Sequence, residues 1–125
     1  MIIRYKTQDQ INSILIKKNI GSVVPKYLDK IDSDKKILFI FDKNVSKILL
    51  DSIFFSLKLN GFKIYKMKMD GFKHNKNEKY LFKLIDFLIE KKFSKNSILL
   101  SCGGGVIGDL SALASSLYLR GLNYC

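Results

Sequence analysis

The residues of this 125-residue chain best suited to chemistry stand near its end, in Ser97-Ile-Leu-Leu-Ser-Cys-Gly-Gly-Gly-Val-Ile-Gly-Asp-Leu-Ser-Ala-Leu-Ala-Ser-Ser-Leu-Tyr-Leu-Arg-Gly121. A short apolar run, Ile98 to Leu100, meets three consecutive glycines and then a periodic apolar segment, which predicts strand, tight turn and helix. Glycine has no Cβ, so the amides of Gly103, Gly104 and Gly105 can approach an anion closely. A helix beginning near Val106 to Gly108 adds unpaired N–H groups and the positive end of its dipole. Those are the parts of a phosphate cradle, and a nucleotide pyrophosphate is the natural guest. The spacing is neither GxGxxG nor the P-loop pattern with its Lys and Ser/Thr, so the glycines alone leave a nucleotide site and a plain structural turn both open.

The elements that must position this turn can be read upstream. Ser13-Ile-Leu-Ile-Lys17 is a short strand candidate, followed by a turn and a short helix from Ser22 to about Asp29, with Pro25 in its first turn. Lys36-Ile-Leu-Phe-Ile-Phe41 is nearly all apolar, the pattern of a parallel strand buried on both faces. Asp42-Lys-Asn44 follows, with Asn44 placed to cap the next helix. In that helix Val45, Ile48, Leu49, Ile53 and Leu57 form one stripe, and Asn60-Gly61 supplies a left-handed stop. A strand over Lys63 to Met67, a polar loop over Met69 to Asn77, and a helix carrying Leu81, Leu84, Ile85 and Leu88 and ending near Lys92 complete the alternation. Strands alternating with helices imply a Rossmann-like α/β fold, a doubly wound parallel sheet. Ligands in such sheets sit beyond the carboxyl ends of the strands, which places Asp42 to Asn44, Asp70 to Asn77 and Gly103 to Asp109 along one edge.

Bulk properties bound the rest. The length is that of one domain, or of a piece of something larger. With 47% hydrophobic and 26% charged residues, the chain reads as soluble and globular, and no apolar run approaches the roughly 18 residues of a membrane span. The N-terminus lacks a signal-peptide pattern, giving a cytoplasmic expectation with no membrane partner. Cys102 and Cys125 read as two reduced thiols. The net charge of +11 invites a nucleic-acid reading. Its lysines, however, are scattered, among them Lys17, Lys26, Lys35, Lys47, Lys58, Lys66, Lys79 and Lys91, and no aromatic RNA-binding motif or helix-turn-helix accompanies them. They read as solvated faces, with no nucleic-acid partner, in a field that favours anionic small molecules.

GGGVIGDL, running from Gly103 to Leu110, followed by an alanine- and serine-rich helix and Tyr-Leu-Arg-Gly at 118–121, resembles the signature of the 3-dehydroquinate synthases, members of the sugar-phosphate cyclase superfamily. At lower specificity the likeness extends back to Ser13. It implies an NAD-binding domain over residues 1–125 and a shikimate-pathway lyase activity that converts 3-deoxy-D-arabino-heptulosonate 7-phosphate to 3-dehydroquinate and phosphate. In chorismate and aromatic amino acid biosynthesis such an enzyme works as a homodimer. Carried over by position, Gly104, Gly105, Val106, Ile107 and Gly108 hold the cofactor's pyrophosphate, Asp42 and Asn44 the adenosine ribose, and Lys76 the lysine place of an Asp-Gly-Glu-x-x-Lys loop. Asp109 lies near the nicotinamide ribose and substrate. Its plain alternative is a charge in the first helical turn. Arg120 takes the place of a substrate-binding arginine, whose planar fork suits a carboxylate or phosphate, or else it is a basic residue at a helix end.

Two departures accompany the likeness. The loop's glutamate place falls on Lys73, or on Phe72 if Asp70-Gly71 is matched directly, and neither is acidic. His74, the only histidine, reads as solvated. The family's divalent metal, Zn or Co, takes one glutamate and two histidines of a second, mainly helical domain, a set this chain cannot supply. Cys125 falls roughly where the next strand of the family begins, so the chain resembles the nucleotide-binding half alone, expected to be inactive by itself. The alternatives are a fragment of another sugar-phosphate cyclase, of a metal-dependent alcohol or glycerol dehydrogenase, or a degenerate nucleotide-binding module.

Overall fold

A run of apolar residues too long to hide one face only must be covered on both, and residues 36–42 form the strand around which the rest is arranged. The structure, a computed structural model, describes residues 1–8 and 11–125. In chain order its elements are β1 (Ile2–Lys6), β2 (Ile11–Leu15), α1 (Val24–Leu28), β3 (Lys36–Asp42), α2 (Lys47–Leu59), β4 (Lys63–Met69), α3 (Glu78–Glu90), β5 (Ile98–Cys102), α4 (Gly105–Leu117) and β6 (Asn123–Tyr124). Short 3-10 turns lie at Ile20–Ser22, Lys73–Asn75 and Tyr118–Arg120.

The main sheet has the order β4-β3-β5-β6, and its pairings are all parallel. Alternation along β3 feeds two cores. Ile37 and Phe39 join Leu28, Leu50, Ile53 and Leu57 on the side of α1 and α2. Leu38 and Ile40 join Leu84, Leu88, Ile107, Leu110 and Ala114 on the side of α3 and α4. The sheet is therefore doubly wound. Helices after β3 and β5, neighbouring strands, leave to opposite faces, which opens a crevice at the carboxyl ends of those two strands.

Several expectations change. The predicted strand at Ser13 to Lys17 is β2, shifted to Ile11–Leu15, and it pairs antiparallel with an unforeseen β1, from Ile2↔Leu15 to Lys6↔Ile11, outside the parallel sheet. Asn44 does not cap α2. Asp42 Oδ1 accepts both its backbone N–H and its Nδ2, at 2.9 and 3.1 Å, so the side chain is used in a tight turn,. The helix begins only at Lys47, with Ser46 at the N-cap. The buried stripe is Leu50, Ile53 and Leu57; Val45 and Leu49 are partly covered, and Ile48, on the opposite side of the helix from Leu57 by the 3.6-residue period, is 85% exposed. Gly61 stops α2 as expected, with φ of 80°.

At the amino edge Asp34 fastens two loops. Its Oδ2 accepts from Ser94 Oγ and Ser97 Oγ, both at 2.7 Å, and its Oδ1 from the Lys36 N–H at 3.0 Å. Burial pushes its carboxyl pKa upward, but the Ser94 and Ser97 hydroxyls, the Lys36 amide and the Lys36 charge outweigh it and hold the group below its ordinary value. A carboxylate lowered in the folded state stabilises the fold above its unfolded pKa of about 3.9, and the contribution disappears as pH falls through the folded value. Solvent access keeps the effect small. Asp34→Ala is expected to cost about 1 kcal/mol at pH 7 through the lost hydrogen bonds, with the gap to wild type narrowing below about pH 4. Urea denaturation at pH 7 and pH 3 measures both.

Candidate functional site

The glycine turn links β5 to α4 at the mouth of the crevice. Helix α4 begins at Gly105 with Gly104 as N-cap, and its first internal bond runs from the Gly108 N–H to the Gly104 carbonyl, 3.1 Å. The N–H groups of Gly105, Val106 and Ile107 therefore lack an acceptor within the helix. The three glycines are not equivalent. A Cβ at Gly103 would lie 3.0 Å from Ile107 Cγ1 and 3.1 Å from Asp42 Cβ, whereas one at Gly104 or Gly105 would meet nothing within 4 Å. Packing demands the first glycine. The other two border open space, which a side chain would fill and a phosphate can enter.

Asp42, at the end of β3, stands between this turn and the loop after β4. Its Cβ faces Gly103, and a Cβ on Gly71 would fall on its carboxylate. The Lys43 N–H donates to the Met69 carbonyl at 2.8 Å, and Lys43 Nζ pairs with Asp70 Oδ2 at 2.7 Å. That lysine, hydrogen-bonded to it, holds the Asp70 carboxyl below its usual range. Asn75, buried, donates from Nδ2 to the Asp70 carbonyl at 2.9 Å. Asn77 caps α3 by accepting from the Tyr80 N–H at 3.2 Å. The loop then reaches α4, where Lys76 Nζ meets Asp109 Oδ2 at 2.6 Å with both side chains exposed. A cavity of about 310 Å³ lies beside that pair, bounded by Leu81, Leu110 and Leu113. A larger hollow of about 820 Å³ lies between β4 and α3, lined by Tyr80, Phe87 and charged neighbours, away from the crevice.

The structure thus brings together Asp42, Asn44, Lys76, Gly104, Gly105, Val106, Ile107, Gly108 and Asp109. Asp109 is not a first-turn charge: because α4 starts earlier than expected, it falls in the second turn, and the first holds no acidic residue. Its partner is a lysine, not the helix dipole. Arg120 lies elsewhere. It follows a 13-residue helix, so it stands about 20 Å from the glycine turn, towards the amino edge. It is held there by an unusual backbone: Leu119 and Arg120 have φ of 50° and 64°, and Gly121 has φ of 125°. Tyr118 anchors this bend, its buried hydroxyl donating to the Phe93 and Leu88 carbonyls at 2.7 and 3.2 Å. Sequence reasoning missed Tyr118 as an anchor, Lys43 with Asp70, and buried Asn75. Only Tyr118 gave a signal, as an aromatic closing a small-residue helix.

A pyrophosphate fits the open glycine cradle. A catalytic metal does not fit: among the described residues no three His, Cys, Asp or Glu side chains gather to hold one, and His74 is exposed. Both cysteines are free. No helix among the described residues is long and apolar enough to cross a membrane.

Fold and turn define a Rossmann-like domain of the kind found in sugar-phosphate cyclases. A crystal structure of 2-deoxy-scyllo-inosose synthase complexed with carbaglucose-6-phosphate, NAD+ and Co2+ superposes with a TM-score of 0.86 at 14% identity, covering 99% of this chain and 33% of that one. ValA, the 2-epi-5-epi-valiolone synthase of Streptomyces hygroscopicus, with NAD+ and Zn2+ bound, gives 0.74 at 20% identity, over 98% and 34%. Glycerol dehydrogenase of Schizosaccharomyces pombe gives 0.61 at 20%, over 86% and 25%. At these identities the likeness is one of fold. In sequence, the family described as 3-dehydroquinate synthase N-terminal matches residues 66–125. The 3-dehydroquinate synthase of Clostridium acetobutylicum is 32% identical over 90% of this chain and 32% of its own length; that of Pelagibacter ubique is 33% identical over 98% and 33%. In sequence the chain is similar to the 3-dehydroquinate synthases across 90–98% of its own length, and it spans about a third of the length of the curated relatives it matches.

The division among the glycines has a measurable outcome. Gly71→Ala, which drives a methyl group into a carboxylate held by Asn44, is expected to cost about 1–3 kcal/mol. Gly104→Ala, at φ of −81° with open space beyond, is expected to stay within about 0.5 kcal/mol of wild type. Thermal and urea unfolding of the two variants compare them.

Proposed function

We propose that this chain is the dinucleotide-binding portion of a 3-dehydroquinate synthase, an enzyme that converts 3-deoxy-D-arabino-heptulosonate 7-phosphate to 3-dehydroquinate and phosphate. The observation that carries the reading is the glycine turn: three uncommitted helix N–H groups beneath open space, at the crevice between β3 and β5,. NAD bound there supplies a hydride acceptor. Gly104, Gly105, Val106, Ile107 and Gly108 would hold its pyrophosphate through backbone N–H groups. Asp42 and Asn44 would accept and donate to the adenosine ribose. Lys76, released from Asp109, would turn to the phosphates, leaving Asp109 free beside the nicotinamide ribose and the substrate.

Arg120 is proposed to bind the substrate's carboxylate or phosphate. Its distance from the glycine turn means that it does so where the assembled enzyme, in this reading a cytoplasmic homodimer, brings that edge over a cleft. The Zn or Co of the complete enzyme would be held by residues in the part of the relatives that this chain does not span. The sequence relatives favour dehydroquinate synthase. The TM-score of 0.86 to 2-deoxy-scyllo-inosose synthase keeps another sugar-phosphate cyclase as the second reading.

Isothermal titration of the chain with NAD is expected to give a submillimolar dissociation constant that Gly104→Val, which fills the cradle, abolishes. Binding weaker than millimolar in the wild type overturns the proposal. Purified chain mixed with NAD, zinc and the heptulosonate phosphate is expected to release no phosphate, as a colorimetric phosphate assay would record. Release would place the whole active site in these residues.

A further inference from the structure

Every carboxylate around the glycine turn is already engaged. Asp42 Oδ1 takes two hydrogen bonds from Asn44, Asp70 takes Lys43 Nζ on Oδ2 and the Phe72 N–H on Oδ1, and Asp109 takes Lys76. Beside these carboxylates, the loop after Gly71 offers an aromatic surface. Phe72 is 55% exposed, and its ring lies nearly parallel to that of His74, 17° between planes and 5.7 Å between centroids. Lys43 Nζ stands 5.1 Å from the Phe72 centroid. A large apolar ring kept in water, stacked on a second ring and held near a cation, presents a π-surface suited to a flat heteroaromatic guest.

Its location says which guest. Phe72 follows Gly71, whose Cβ position is 3.6 Å from Ile107 Cγ1 in the first turn of α4. One residue adds about 3.8 Å, so the rings stand within a nucleoside's reach of the phosphate cradle. The loop is also stiffened from within, by Asn75 Nδ2 on the Asp70 carbonyl and Asn77 Nδ2 on the His74 carbonyl, both short. The rings are thus presented by a bonded scaffold, which limits the ordering cost on binding.

We propose that Phe72 and His74 form a stacking shelf for the purine base of the dinucleotide, beside the ribose given above to Asp42 and Asn44. This rests on the dinucleotide reading above. The test is isothermal titration of the full chain with ADP and with inorganic pyrophosphate, in the wild type, Phe72→Ala and Phe72→Trp. The expected result is a loss of about tenfold or more in ADP affinity for Phe72→Ala, unchanged pyrophosphate affinity, and ADP affinity kept or raised in Phe72→Trp. If Phe72→Ala binds ADP like the wild type while Gly104→Val does not, the shelf is overturned and the cradle stands. An equal loss for ADP and pyrophosphate in Phe72→Ala also overturns it, because the loop would then support the phosphates rather than the base. A wild type that binds neither ADP nor NAD removes the cradle and the shelf together.

Discussion

Asp42 can stand at the head of the central strand only because the two residues pressed against it carry no side chain. Gly71 and Gly103 come from loops far apart in the chain, and each leaves the space that the aspartate occupies. This steric condition lets the loop after β4 cross the end of β3 and reach the first turn of α4. Ile107, fully buried, packs beneath both glycines. The convergence at the crevice is thus a packing result before it is an electrostatic one.

The charges divide along the same lines. In a chain of +11, carboxylates near the crevice are matched with lysines, Asp70 with Lys43 and Asp109 with Lys76. Exposed pairs of this kind contribute little stability and exchange partners at low cost. The helix N–H groups of the glycine turn are left unmatched. An anion arriving there meets donors that need no rearrangement, with lysines near enough to follow it.

Much of this was legible in the sequence. The both-face apolar run of β3, the Gly61 stop, and the strand-turn-helix around Gly103 to Gly105 each follow from a local rule, and the shared edge of the three loops follows from the alternation of strands and helices. What escaped has a common physical origin. Asn44 bonding to Asp42 instead of capping α2 is a choice between two nearly equal local hydrogen bonds, and Ile48 lies off the buried stripe because the helical period sets it opposite Leu57. Strand β1 mixes Ile2 and Ile3 with Arg4 and Lys6 and is exposed throughout, so no burial pattern marks it. Asn75, Lys43 with Asp70, and the Tyr118 hydroxyl depend on partners brought near by folding. The approach of Arg120 to any site depends on a bend of consecutive left-handed residues that no composition rule favours.

The central position of β3 bears on how the chain comes into being. Its neighbours on the two edges are strands beginning at Lys63 and Ile98, both synthesised after it. Until β5 and α4 have been made, Ile37 to Ile40 lack the strand that covers one edge and the helix that covers one face. Those residues form the β-rich, uncharged stretch most prone to intermolecular pairing. Strand β5, which closes the second edge, is therefore a late arrival in biogenesis, and the glycine turn can take shape only after it.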